Sequence, residues 1–164
     1  MAIGKLIITR FADLGHLGLY LLSYLIPRKK NVWVFGSWFG QNYSDNSKYF
    51  FEYVNQFTSI KAIWISQNRE VVKSIQSKGY KAFHYKSMKA AYYISIAKVG
   101  VVSCAPHDIA SYSLAKMKII NLWHGTALKK IMHDVKGYEK SGFVHELHRF
   151  LFPFKFISFS MISA

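Results

Sequence analysis

From residue 31 to residue 123 the chain alternates short apolar runs with stretches whose apolar positions recur at helical spacing. The runs at 32–36, 61–66, 80–85, 99–104 and 118–123 read as strands, with 80–85 the weakest. Between the first two, Tyr49, Phe50, Tyr53, Val54 and Phe57 trace one face of a helix, with Asp45 placed to cap its start. Val71, Val72 and Ile75 mark a second helix over 69–78 that Gly79 stops, and Ser87 opens a third over 87–98 that Gly100 helps to end. A short helix fits 109–116, and Leu128, Ile131 and Met132 fall at helical spacing after the fifth strand. Strands alternating with helices in this way predict an α/β fold. It is a Rossmann-like parallel sheet with right-handed crossovers, helices on both faces and function at the carboxyl ends of the strands.

The flanks differ from this central region. Residues 3–26 are mostly aliphatic and aromatic and run into Pro27-Arg28-Lys29-Lys30. The uncharged portion, 14–26, is shorter than the roughly 20 residues a spanning helix needs, and Lys5, Arg10 and Asp13 interrupt the earlier half. This predicts a basic, amphipathic, membrane-associating segment over 1–30 that lies in the plane of an anionic membrane surface. A core or interface helix and a single span are the alternatives. No small-residue cleavage site follows, so a signal peptide is not expected. Toward the other end, polar residues 133–141 precede an amphipathic stretch over 142–152 and a sixth strand over 154–160. Stopping just past a strand, with no closing helix, suggests that the domain over 31–164 is truncated.

Composition adds a class of partner. Half the chain is hydrophobic, which argues against disorder, and 22 Lys and Arg against 8 Asp and Glu leave a formal charge of +14. Nucleic acid, an acidic membrane leaflet and a phosphate-rich substrate would each answer that charge. No zinc-finger spacing, RNP-like aromatic motif or basic-region heptad accompanies it, so a nucleic-acid partner is not expected. The single Cys104 excludes an intramolecular disulfide and a cysteine metal cluster, which suits a reducing cytoplasm. After Val101-Val102-Ser103 it reads as core filler.

Candidate chemistry concentrates at the end of the fifth strand. Asn121-Leu122-Trp123-His124-Gly125-Thr126-Ala127-Leu128-Lys129-Lys130 sets a histidine, a glycine and a hydroxyl where a buried strand becomes a helix. Gly125 allows a tight turn there, and unpaired N–H groups of the new helix face a crevice that favours anions. His124 reads either as a buried histidine donating to a carbonyl or as a general base, and its strand-end context favours the base. Thr126 reads equally as an N-cap and as a phosphate contact. Lys129 and Lys130 read as solvated charges, or one of them as neutralising a diphosphate. The loop 37–44, rich in Gly, Asn and Tyr, raises Asp45 and Asn46 above a plain cap. His107 and Asp108 end the fourth strand beside the same crevice. His145 and His148 lie three apart on a helix without a third ligand, so no metal site is expected. His84 reads as packing, and His16 and His133 carry no signal.

Three blocks carry a resemblance: Val34-Phe35-Gly36-Ser37 through Gly40 to Ser44-Asp45-Asn46-Ser47-Lys48, then Ile63-Trp64-Ile65, and above all Trp123-His124-Gly125-Thr126 with the Leu128-Lys129 that follows. Spanning 32–131, they resemble the CDP-glycerol glycerophosphotransferase family, enzymes that prime or build teichoic acids and related glycerol phosphate polymers. The resemblance implies the N-terminal half of a GT-B fold, attached peripherally to the cytoplasmic face of the cell membrane. It also implies transfer of glycerol phosphate from CDP-glycerol to a hydroxyl of a lipid-linked acceptor, with no cofactor besides that donor. His124 is the implied catalytic base, and Gly40, Asp45, Asn46, Gly125, Thr126 and Lys129 are implied substrate-binding residues. Ala127 stands where the family usually has proline, and Met132 where glycine is common. The family's second domain, with most of the donor site and a further histidine, has no counterpart in these residues. The chain is therefore expected to be an acceptor-side half, inactive alone. A non-catalytic membrane-bound module for anionic polymer or lipid, and a GT-B transferase of sugar nucleotides, are the alternatives. Acceptor identity, primase against polymerase, and a homo-oligomeric partner stay open.

Overall fold

The computed structural model describes residues 18, 21, 23–110, 116–123 and 161–162. Strands β1 (Lys29–Phe35), β2 (Lys61–Ser66), β3 (Ala82–His84), β4 (Ala97–Val102), β5 (Lys118–Asn121) and β6 (Met161–Ile162) pair in parallel, in the order β3-β2-β1-β4-β5-β6. Helices α1 (Asp45–Phe57), α2 (Arg69–Ser77) and α3 (Met88–Ile96) alternate with the first four strands. The expected α/β architecture is what the chain adopts.

Successive strand residues face opposite ways, so each apolar run supplies two cores. Val32, Val34, Ile63, Ile65 and Val102 pack with Ala90 and Ile94 of α3. Phe35, Trp64, Val99 and Val101 pack with Phe51 and Val54 of α1 and with Val72 and Ile75 of α2. Coverage on both faces explains why these strands read as unbroken apolar runs and not as alternating ones. The second core is aromatic. Phe51 meets Phe35 and Trp64 edge-on at 5.3 and 5.4 Å. Tyr43, in the connection after β1, stands 4.7 Å from the Trp64 ring and donates its hydroxyl to Glu52 at 2.9 Å. Burial, helped by that carboxylate, pushes the Tyr43 phenol far above its ordinary range, so a neutral ring anchors the connection.

Several boundaries move. β1 begins at Lys29, which pairs with Ala97, so Lys29 and Lys30 belong to the sheet and not to a flanking basic cluster. α3 ends at Ile96, and Gly100 lies inside β4 instead of terminating a helix. The Arg28 guanidinium receives the end of α3, donating to the carbonyls of Ile94 at 2.5 Å and Ala97 at 3.1 Å, and burial lowers its pKa to about 10. A Cβ on Gly100 would lie 2.7 Å from the Met117 sulfur and 3.0 Å from Ile119 Cδ1, so close packing accounts for this glycine. Asp45 is not the cap of α1. Ser44 holds that position and Asp45 is the first helical residue, with φ at +60°. Ser87 does cap α3, accepting from the Ala90 N–H at 3.1 Å.

A 3-10 turn at Pro106–Asp108 precedes the expected helix over 109–116, of which residues 111–115 lie outside the described residues. β5 ends at Asn121, short of the expected 123, because Trp123 turns into the left-handed region with φ at +57°. The sixth strand pairs with β5 through Met161–Ile162, just past the expected 154–160. That range, the stretches 128–132, 133–141 and 142–152, and most of the expected 1–30 segment lie outside the described residues. Among the described residues no helix is long and apolar enough to cross a membrane.

Candidate functional site

The chain builds outward from β1 through β2 to β3, then returns to the other side of β1 with β4. The carboxyl ends of β1 and β4 therefore flank the point where open α/β sheets form a crevice. Three connections meet there, residues 36–44 after β1, 103–108 after β4 and 122–123 after β5.

The first is a left-handed turn. Trp38, Phe39 and Gly40 have φ of +46°, +53° and +77°, and the Gly40 and Gln41 N–H groups donate back to Ser37 and Trp38. Each non-glycine residue in that region costs roughly 1–2 kcal/mol, so the surroundings must hold the turn. The Phe39 N–H donates to Asp108 Oδ1 at 2.7 Å. The Gly40 carbonyl accepts from the Gln67 N–H at 2.7 Å and the Ser66 hydroxyl at 2.6 Å, and Gln67 Nε2 donates to the Phe39 carbonyl at 3.0 Å. Gly40 is buried, and a Cβ on it would lie 2.9 Å from Gln67 Cγ, so it shapes the turn against the end of β2. The Trp38 and Phe39 side chains stay exposed at the rim.

The second connection is organised by Asp108, which is fully buried. Its Oδ2 accepts the N–H groups of Ser103 at 2.9 Å and Cys104 at 2.8 Å, and lies 3.4 Å from the Ser103 hydroxyl. One carboxylate thus ties the end of β4 to the turn after β1, its charge satisfied by neutral donors. A Cβ on Gly36 would lie 2.2 Å from the Asp108 carbonyl oxygen, so the two connections touch backbone to backbone. Burial, with the Asp108 charge beside it, raises the pKa of the Cys104 thiol, which keeps it protonated and a poor nucleophile near neutral pH. His107 is exposed on the same turn.

The third connection is held from three sides. The Leu122 N–H donates to the Val102 carbonyl at 2.9 Å, and the Trp123 N–H to Asn121 Oδ1 at 3.0 Å. Asn121 is buried, and its Nδ2 reaches the Cys104 carbonyl at 3.5 Å. Asn46 Nδ2 donates to the carbonyls of both Leu122 and Trp123, each at 3.1 Å. Beside it, the Asp45 carboxylate accepts from the Trp38 indole N–H.

Asn46 therefore holds the backbone that leads into His124, while Gly40, Asp45 and Asp108 hold the turn after β1. His124 itself, with Gly125, Thr126, Lys129 and Lys130, lies outside the described residues. Asn46 reaches across to the connection after β5 and Asp45 back to Trp38 in the connection after β1, instead of capping their own helix. The braces Ser103, Gln67 and Asn121 escaped the sequence. Asn121 was the detectable one, since an amide inside an apolar strand must find partners. Among the described residues no three His, Cys, Asp or Glu side chains cluster as metal ligands would.

The family model for CDP-Glycerol:Poly(glycerophosphate) glycerophosphotransferase matches residues 19–159. A teichoic acid poly(glycerol phosphate) polymerase of Staphylococcus epidermidis is 31% identical over 118 residues, covering 70% of this chain and 16% of that protein. A teichoic acid glycerol-phosphate transferase of Staphylococcus aureus is 29% identical over 114 residues, covering 69% and 28%. The wall teichoic acid polymerase TagF shares the fold at a TM-score of 0.55 and 25% identity, over 90% of this chain and 36% of that one. A TagF variant soaked with CDPG aligns at a TM-score of 0.53 and 23% identity, over 75% and 30%. The chain thus spans well under half the length of each of these relatives.

Proposed function

The chain belongs to the CDP-glycerol:poly(glycerophosphate) glycerophosphotransferase family, and we propose that it forms the acceptor-side half of a glycerophosphotransferase. In this reading the complete enzyme moves glycerol phosphate from CDP-glycerol to a hydroxyl of a lipid-linked acceptor of teichoic acid or a related surface polymer. His124 takes the proton from that hydroxyl as its oxygen approaches the β-phosphorus in line. The new O–P bond forms as the bond to CMP breaks, and CMP leaves with the electron pair. Gly125 and Thr126 offer N–H and hydroxyl groups to the transferring phosphoryl group, and Lys129 offsets the diphosphate charge. Gly40 and Asp45 act by shaping the opposite rim. The reaction so read needs no cofactor.

The observation that supports this most is the bracing of residues 122–123 at the switch point, directly ahead of the Trp123-His124-Gly125-Thr126 motif. Positioning is what phosphoryl transfer chiefly asks of a protein. We place the complete protein peripherally on the cytoplasmic face of the cell membrane, held there by the apolar stretch ahead of β1 with its Lys5 and Arg10 charges. The donor-side wall is assigned to a second Rossmann-like half, so the 164 residues alone should be inactive. Transfer of radiolabelled glycerol phosphate from CDP-glycerol by the complete protein tests the reading. His124→Ala should lower turnover by about 10²–10⁴-fold, and unchanged turnover would remove His124 as the base.

A further inference from the structure

The two residues before His124 have every backbone hydrogen-bonding group engaged. The N–H of Leu122 is held by β4 and that of Trp123 by Asn121, and both carbonyls are held by the one amide of Asn46. The orientation of that amide is dictated by its partners. Two carbonyl oxygens face it, and only the NH₂ end can donate to both. The Trp123 carbonyl belongs to the same rigid peptide plane as the His124 nitrogen, so fixing one fixes where the His124 backbone begins. Trp123 also sits in the left-handed region, at φ +57°, a conformation that persists only where neighbours over-determine it. Asn46 reaches this segment from α1 across 76 and 77 positions of sequence.

From this geometry we infer that Asn46 is a positioning residue for His124 and not a substrate contact. The inference rests on His124 being the base. With both amide hydrogens committed to backbone, Asn46 has no donor left for a phosphate or a hydroxyl. Its work is to stop the Trp123–His124 peptide from rotating, so that the base begins from one orientation. Displacement of a base by about 1 Å can lower turnover by roughly 10²-fold without altering how substrate is held.

Aspartate is the discriminating replacement, because it keeps the shape of asparagine and turns the donor into an anionic acceptor facing two carbonyls. In the complete enzyme, Asn46→Asp and Asn46→Ala are each expected to lower kcat by about 10–100-fold. The KM for CDP-glycerol and that for the acceptor should each stay within about 3-fold. Residues that act as one unit do not multiply their losses, so adding Asn46→Ala to His124→Ala should produce no further loss. Asn46 is exposed, so its alanine variant is expected to keep the fold should the aspartate perturb it. A 10-fold rise in either KM at unchanged kcat would make Asn46 a substrate contact. Wild-type turnover in both variants would overturn the inference outright. A loss that multiplies with that of His124→Ala would overturn positioning and leave the base assignment standing. Full turnover in His124→Ala would overturn the base assignment itself, whatever Asn46 does.

Discussion

After β2 the chain enters both of its helices, and leaves the first of them, by local means. Asn68 caps α2 by accepting the Glu70 N–H at 2.9 Å, Gly79 ends that helix at φ +83°, and Ser87 opens α3. After β1, β4 and β5 the chain relies on partners far away in sequence. Phe39 is held by Asp108, 69 positions on, and Trp123 by Asn46, 77 positions back. Of the five left-handed non-glycine residues among the described residues, Trp38, Phe39, Asp45 and Trp123 lie on this second side, and Lys116 lies just ahead of β5. Where the sheet makes an ordinary crossover, cheap local chemistry suffices. Where it opens a crevice, backbone that would not adopt its shape unaided is held by buried or long-range polar side chains.

Removing the main brace should have the largest effect. Asp108→Ala strands the N–H groups of Phe39, Ser103 and Cys104 and is expected to destabilise by about 3–5 kcal/mol in urea unfolding. A loss below about 1 kcal/mol would mean the two connections hold without it. The glycines should separate next. A Cβ on Gly36 would strike the Asp108 backbone at 2.2 Å, whereas one on Gly79 meets nothing within 4 Å and suffers only from its positive φ. Gly36→Ala should therefore cost about 3 kcal/mol and Gly79→Ala about 1. Equal losses would show that space at the crevice is not what Gly36 supplies. The smallest effect is expected from Asn68→Ala, about 1 kcal/mol, with glycerol phosphate transfer by the complete enzyme unchanged. A fall in turnover there would break the division between the two sides.

The same division governs what the sequence could tell. Apolar runs, Ser87 and Gly79 are local signals, and β2, α2 and the start of α3 lie close to where they pointed. Gly100 misled because a glycine after a helical stretch looks like a stop, while the reason for it, the Met117 and Ile119 side chains, lies on another segment. Asp45 misled in a similar way, since it sits at a helix start yet bonds to Trp38. The family motif singled out Asn46 but not its purpose. An amide's partners depend on strand order, and no local pattern encodes the passage of β5 beside β4.

The bond from Asn46 to Trp123 can also be viewed as a loop closure. In a disordered chain, bringing residues 77 positions apart together would cost roughly 4 kcal/mol of entropy, more than one amide returns. Here the parallel register of β1, β4 and β5 has already made that closure, so the amide meets its carbonyls at a high effective concentration set by the sheet. Strand pairing and the poise of the motif are therefore one equilibrium. A slip of β4 or β5 by a single residue would detune the site without touching any residue in it.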